Sequence, residues 1–234
     1  MDIKLHYLER GEGFPIVLLH GNGGSSAYFS HQMDALSSDY RVLAVDTRGH
    51  GQSPRGETPF TLCRFAEDLK GFLDERGIGR AHLLGFSDGA NIALLFALRY
   101  PGYVEKLILN GGNLHPSGVK RCITIPIILA HGLASFLERF GRKAALVREM
   151  LELMVNQPDI KPHELKELIM PVLVIAGTND LILESHTRLI ASSLPNSTLV
   201  FIRGGHFIAA KQSEEFNRTV LSFLSADDHT AAVQ

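Results

Sequence analysis

Hydrophobic and polar positions along the chain fall into two alternating patterns. Short apolar runs recur at residues 15–19, 41–45, 82–85, 106–109, 171–176 and 198–202. Runs of this length with almost no polar interruption are what strands need when both faces of a parallel sheet are covered. Residues 4–7 alternate and predict a further short strand, followed by a turn over 9–13. Between the strands, apolar residues take helical spacing. In 61–76, Leu62, Phe65, Ala66, Leu69, Phe72 and Leu73 form one stripe. Residues 27–37, 87–100, 185–194 and 213–224 predict four more helices, the second stopped by Pro101. Strand alternating with helix predicts an α/β fold with a mostly parallel, doubly wound sheet.

The alternation breaks between residues 113 and 168. That stretch has helical pieces, such as 134–140 and 143–154, and no convincing strand pair. It predicts a small helical cap, 113–168, inserted into a core made of 1–112 and 169–234. An ordinary long crossover is the other reading.

Three loops carry candidate chemistry, each directly after a strand. Gly85-Phe86-Ser87-Asp88-Gly89 fits G-x-S-x-G between a strand and a helix, the context of a nucleophile elbow. Both flanking positions of so sharp a turn need glycine, and the following helix adds positive potential beside Ser87. A serine nucleophile needs a base, and the base needs an orienting carboxylate. Asp180 follows the strand at 171–176 and His206 follows the strand at 198–202. All three residues are thus predicted at the carboxyl ends of strands, where a doubly wound sheet places its site. Asp159 and Glu184 are rival acids, but neither follows a strand directly.

The loop His20-Gly21-Asn22-Gly23-Gly24 follows the strand at 15–19. Its backbone N–H at Asn22, or at Gly23, together with the N–H of Asp88, predicts an oxyanion hole. No Gly-Lys-Ser/Thr follows, which excludes a P-loop. His20 itself reads as structural.

These motifs resemble the α/β-hydrolase superfamily across nearly the whole chain. Asp46-Thr47-Arg48-Gly49-His50-Gly51-Gln52-Ser53 is similar to a D-x-R-G-x-G-x-S turn of many members and reads as structural. Within the superfamily, Ser87-Asp88-Gly89 and Arg99-Tyr100-Pro101 leading to Val104-Glu105-Lys106-Leu107-Ile108 resemble the biphenyl hydrolase-like group, which includes valacyclovir hydrolase-like enzymes. The chain differs from that group by a shorter N-terminal region and a short cap. The resemblance implies an α/β-hydrolase fold and cleavage of a carboxylic ester through an acyl-enzyme. In that group an aspartate after the nucleophile is associated with an α-amino group of the substrate, which makes Asp88 a candidate substrate-binding residue. Carbon–carbon bond hydrolysis, lactone opening or elimination on the same residues is the first alternative, and a ligand receptor with a hydrolase fold the second.

Composition narrows the partners. With 23 basic and 25 acidic residues the net charge is −2, and no basic stripe points to nucleic acid. No histidine or cysteine pair has ligand spacing, so no metal or cofactor is expected. The two cysteines, Cys63 and Cys122, are too few for a disulfide framework. Met1 leads straight into Asp2-Ile3-Lys4-Leu5, which predicts no signal peptide. The longest apolar stretch, 123–129, is interrupted by Thr124 and Pro126 and reads as too short to span a bilayer. The expectation is a cytoplasmic enzyme with a small-molecule substrate, no membrane contact, and an oligomeric state left open. The apolar side chains of the cap exceed what a solvated loop needs. Phe136 and Phe140 are the candidates to line a substrate pocket.

Overall fold

The computed structural model describes residues 2–226, without the Arg142 side chain. The C-terminal tail beyond Ala226, read from sequence as polar and frayed, lies outside the described residues, as does Met1. Seven strands form one sheet: β1 (Tyr7–Arg10), β2 (Phe14–Leu19), β3 (Tyr40–Val45), β4 (Ala81–Phe86), β5 (Val104–Asn110), β6 (Val172–Gly177) and β7 (Ser197–Ile202). Their order is β1-β3-β2-β4-β5-β6-β7. Only β1 runs antiparallel, pairing Tyr7 with Val45. The fold is the expected one, a mostly parallel α/β sheet.

Helices α1 (Ser30–Leu36), α2 (Leu62–Glu75), α3 (Asp88–Arg99), α6 (Glu184–Ser193), α7 (Ile208–Lys211) and α8 (Ser213–Ser225) cover the sheet, while α4 (Arg121–Leu137) and α5 (Arg142–Asn156) stand apart from it. One apolar layer joins the sheet to α2, α3 and α6 through residues such as Leu69, Phe72, Phe96 and Ile190. The other joins it to α1 and α8 through Phe29, Leu36, Phe216 and Val220. Helix α2 starts where predicted because the Thr61 side chain accepts from the Arg64 N–H at 3.0 Å, a cap that contributes about 1 kcal/mol.

Two local expectations shift. The first strand lies at Tyr7–Arg10 and takes in the first two residues of the predicted turn. Ile3 and Leu5 are buried against the core from irregular backbone, so their alternation marked packing and not pairing. In the 113–168 segment, Thr124 and Pro126 do not interrupt the helix. Arg121–Phe140 forms a 20-residue helical run of mean hydropathy 1.3, long and apolar enough to cross a membrane by length and composition alone. Only 6% of it is buried in the protein. Reading the apolar run residue by residue missed this, because proline in the second turn removes one hydrogen bond but leaves the rest of the ladder.

The same segment is tied to the core at several points. Lys120 N–H donates to Leu181 O at 2.9 Å and Leu183 N–H to Gly118 O at 2.8 Å. The Arg55 guanidinium forks onto Glu149 of α5, with Nε 3.0 Å from Oε2. Leu62 N–H, at the start of α2, donates to Gln157 Oε1 at 2.9 Å. Cys63 and Cys122 are both free and exposed.

Candidate active site

Strand β4 delivers Ser87 into a turn that only glycine neighbours permit. Ser87 has φ 54° and ψ −121°, and is the one non-glycine residue with positive φ among the described residues. Such a conformation costs about 1–3 kcal/mol and persists only where the surroundings enforce it. Here a Cβ on Gly85 would fall 2.3 Å from Gly89 O, and one on Gly89 only 2.0 Å from Leu19 O. Ser87 N–H donates to Asn110 O of β5 at 2.8 Å, and α3 begins at the next residue.

The hydroxyl of Ser87 lies 3.0 Å from His206 Nε2, and His206 Nδ1 lies 2.7 Å from Asp180 Oδ1. An ionised carboxylate can only accept, so Nδ1 carries the proton and Nε2 is left to accept from the serine. His206 and Asp180 are buried. Burial pushes the Asp180 carboxyl up, but the His206 bond and charge and the N–H groups of Ile182 and Gly177 outweigh it, and the pKa ends below the ordinary value. Those N–H groups lie at 3.0 Å and 3.2 Å. Gly111, at φ 63°, lets the His206 ring sit close, since a Cβ there would be 2.9 Å from Cε1. The rival acids are elsewhere: Asp159 is paired with Lys161 and Glu184 with Arg188, all exposed.

The loop after β2 passes against the serine. A Cβ on Gly21 would lie 3.0 Å from Ser87 Cβ, so the backbone that leads into Asn22 runs beside the hydroxyl. His20 fixes this loop. Its Nδ1–H donates to Gly21 O at 2.8 Å and its Nε2 accepts from Thr47 N–H at 3.1 Å. Burial pushes the His20 imidazole down to about 4, which keeps it in the neutral form both bonds require. Asp46 in turn accepts from the N–H groups of Ser26 and Gln52 at 2.6 Å and 2.9 Å. Arg48 is wholly buried between Asp2 and Asp68.

Asp88 differs from Asp180. Its Oδ1 has one long contact, 3.5 Å from Asn91 Nδ2, and its Oδ2 is shut away from solvent without a hydrogen-bond partner. Burial pushes this carboxyl up to about 6, against the opposing pull of the Asn22 amide, the His206 charge and Asn91. The Asn22 amide is itself engaged with the helical segment, donating to Met150 O of α5 at 2.7 Å.

Ser87, Asp88 and His206 open onto a narrow cavity of about 40 Å³. Its other walls include Ile123, Thr124 and Ile127 of α4, Met154 of α5, and Leu181 and Ile182. Phe136 and Phe140, expected from sequence to line the pocket, do not. They are 56% and 73% exposed on the outside of the helical segment. Nine residues separate Ile127 from Phe136, which turns a helix by about 180°, so the two side chains point opposite ways. Asn113 and Gln157 also line the cavity neighbourhood and were not found by sequence reasoning. Asn113 is brought in by a pair of bonds with Asn91, at 2.8 Å and 3.0 Å, a long-range pairing with no local signal. A larger open groove, about 920 Å³, lies at the opposite ends of the strands by Arg80 and Lys106, far from the serine. Among the described residues no group of three or more His, Cys, Asp or Glu side chains is placed to hold a metal ion.

The comparisons with known proteins bear on family and fold. Residues 15–149 match the family model described as the alpha/beta hydrolase fold. A 2-hydroxy-6-oxononadienedioate/2-hydroxy-6-oxononatrienedioate hydrolase of Burkholderia vietnamiensis is 33% identical, over 95% of this chain and 91% of its own. RutD of a Caulobacter species, provisionally named a carbamate hydrolase, is 31% identical over 91% of each chain. The solved enol-lactonase of Burkholderia xenovorans superposes with a TM-score of 0.79 at 25% identity, over 95% of this chain and 97% of that one.

Proposed function

Since the chain belongs to the α/β-hydrolase family and is a hydrolase of that fold, we propose that it cleaves a small carboxylic ester through an acyl-enzyme, with Ser87 as nucleophile, His206 as base and Asp180 as the orienting acid. The observation that carries this is the relay from Ser87 Oγ to His206 Nε2 at 3.0 Å and from His206 Nδ1 to Asp180 at 2.7 Å. In this reading His206 takes the Ser87 proton as Oγ attacks the ester carbonyl. The developing oxyanion is bound by the main-chain N–H groups of Asn22 and Asp88. Imidazolium then returns the proton to the leaving alkoxide, and an ester to Ser87 remains. Water, activated by the same imidazole, releases the acid and restores the serine. Asp180 holds the tautomer throughout and stabilises the imidazolium.

Carbon–carbon bond hydrolysis has equal support from the relatives, since one named relative acts on a dienedioate. The composition of the cavity favours the ester. A dicarboxylate calls for a cation to bind it, and the cavity walls hold no lysine or arginine while they do hold Asp88. The same observation supports a substrate that is neutral or carries a cation facing Asp88, such as an amino-acid ester. The reading needs no metal or cofactor and suits a cytoplasmic enzyme. A fluorophosphonate probe should label Ser87 and fail to label Ser87→Ala. Turnover of p-nitrophenyl esters should then exceed that of a vinylogous 1,5-diketone dicarboxylate. A preference for the dicarboxylate would replace the ester reading with carbon–carbon cleavage.

A further inference from the structure

Helix α4 is apolar on two opposite sides, and the protein covers only one. Ile123, Ile127 and the buried Ala134 face inward, the first two onto the cavity. On the other side Ile125, Leu129, Leu133, Phe136 and Phe140 follow one another at steps of three and four residues, which places them on one stripe. They are 55%, 70%, 61%, 56% and 73% exposed. A helix that is apolar all round is normally covered all round, and a contiguous exposed apolar face of this kind marks a surface that meets something else.

The charges around the stripe narrow what that is. Residues 120–143 include five basic side chains and one acidic, a net of +4 in a chain whose total is −2. The described basic side chains sit at the two ends of the helical run, Lys120 and Arg121 at one, Arg139 and Lys143 at the other. The one acid, Glu138, is already matched by Arg148 of α5 at 2.6 Å. The Arg139 guanidinium lies over the Phe136 and Phe140 rings, 3.8 Å and 4.9 Å from their centroids, where its charge is held at the level of the exposed rings. A second copy of the chain, docked by the same face about a two-fold axis, would bring positive ends against positive ends. An anionic lipid surface meets both features at once: the apolar stripe enters the acyl boundary while the flanking cations stay at the phosphates.

We propose that the outer face of α4, with the turn through Phe140, is a peripheral docking surface for anionic membranes. The helix then lies in the interface plane, its inner face still forming the wall of the cavity. This goes beyond the ester reading and does not depend on it.

Co-sedimentation of the full chain with phosphatidylcholine vesicles, with and without about one-third phosphatidylserine, tests it. Partitioning onto the anionic vesicles should exceed that onto the neutral ones by about ten-fold or more at low salt. It should fall several-fold near 0.5 M salt, a roughly Debye-limited range. Leu133→Glu with Phe136→Glu should reduce the partitioning at least ten-fold, with circular dichroism and thermal midpoint kept near those of the parent. Arg139→Gln with Lys143→Gln should remove most of the preference for anionic over neutral vesicles. Equal sedimentation with and without vesicles would overturn the proposal. So would a concentration-dependent dimer in solution that the double glutamate variant dissociates, since the face would then belong to a second copy.

Discussion

At the carboxyl edge of the sheet, the Ser87, His206 and Asp180 side chains are joined by hydrogen bonds and backbone positions are fixed by contact. Asp180 accepts from a ring N–H and two main-chain N–H groups, and the glycines around Ser87 leave no room for a Cβ. A few turns of chain away, on the outer side of α4, large apolar side chains face outward with little around them. The difference follows from what each region must do. On the proposed function, groups at the edge stabilise a transition state and have to be in place before the reaction begins, which fits an edge built from buried, mutually dependent bonds. A surface that meets a soft partner needs only the right side chains on one face. Changes at the edge should therefore be felt in chemistry or folding by orders of magnitude, and changes on the outer face of α4 hardly at all.

The largest contrast should come from the relay. On the proposed function, Ser87→Ala should lower kcat by about a million-fold, and Asp180→Asn by about ten-thousand-fold, the sizes found for Ser-His-Asp enzymes. Burst and steady-state kinetics on an activated ester, with circular dichroism for folding, measure this. A Ser87→Ala protein with more than about a tenth of the parent activity would show that the chemistry runs elsewhere.

Next comes folding. Gly89→Ala would drive its Cβ to 2.0 Å from Leu19 O, into the Leu19–His20 backbone. It should destabilise the protein by about 3 kcal/mol or more, read from urea midpoints. Gly132→Ala, on α4 where a Cβ meets nothing within 4 Å, should instead stabilise by up to about 1 kcal/mol.

The edge was far more legible from sequence than the α4 segment, and the same contrast explains why. Ser87, Asp180 and His206 each follow a strand, and the turns that hold them demand glycine, so their placement is written in local spacing. The position of β1 was misread because Ile3 and Leu5 alternate while packing outside the sheet. On α4 the apolar residues occupy nearly every side, so periodicity cannot say which side faces the cavity. Ile127 and Phe136 look alike on the page, and only the docking of α4 separates them. The Asn91–Asn113 pair and the Gln157 contact to α2 join residues 22 and 95 positions apart, with nothing in either neighbourhood to announce them.

Two carboxylates at the edge sharpen the comparison within the site. Asp180 is fully matched and its pKa is lowered, while Asp88 has an unmatched Oδ2 and a pKa pushed up to about 6. A carboxyl with a raised pKa binds its proton more tightly in the folded chain than in the unfolded one. Asp88 therefore makes the fold less stable as pH rises from 3.8 to about 6, and the loss persists above that range. Asparagine does not titrate. The stability of Asp88→Asn relative to the parent should thus improve by about 2 kcal/mol between pH 4 and pH 8, as read from urea unfolding at both values. The opposite trend, or none, would mean that Asp88 is matched by a group such as a bound cation.

The smallest effects should fall on α4, and they discriminate between its two faces. Ile127 lines the cavity with Ser87, so Ile127→Ala removes apolar wall from the cavity beside the serine. Burial of a few methylene groups is worth about 1–3 kcal/mol in discrimination between substrates, so the ratio of kcat/KM for long against short esters should change by about ten-fold. Phe136→Ala and Phe140→Ala leave the cavity untouched, and both rings are mostly exposed already. With soluble esters of either length they should alter kcat/KM by less than about two-fold, and stability by no more than about 0.5 kcal/mol. Should Phe136→Ala shift the chain-length ratio as far as Ile127→Ala does, the helix must rotate or lift when substrate enters, bringing its outer face to the cavity. Measuring both variants on one ester series decides whether the two sides of α4 keep separate roles during turnover.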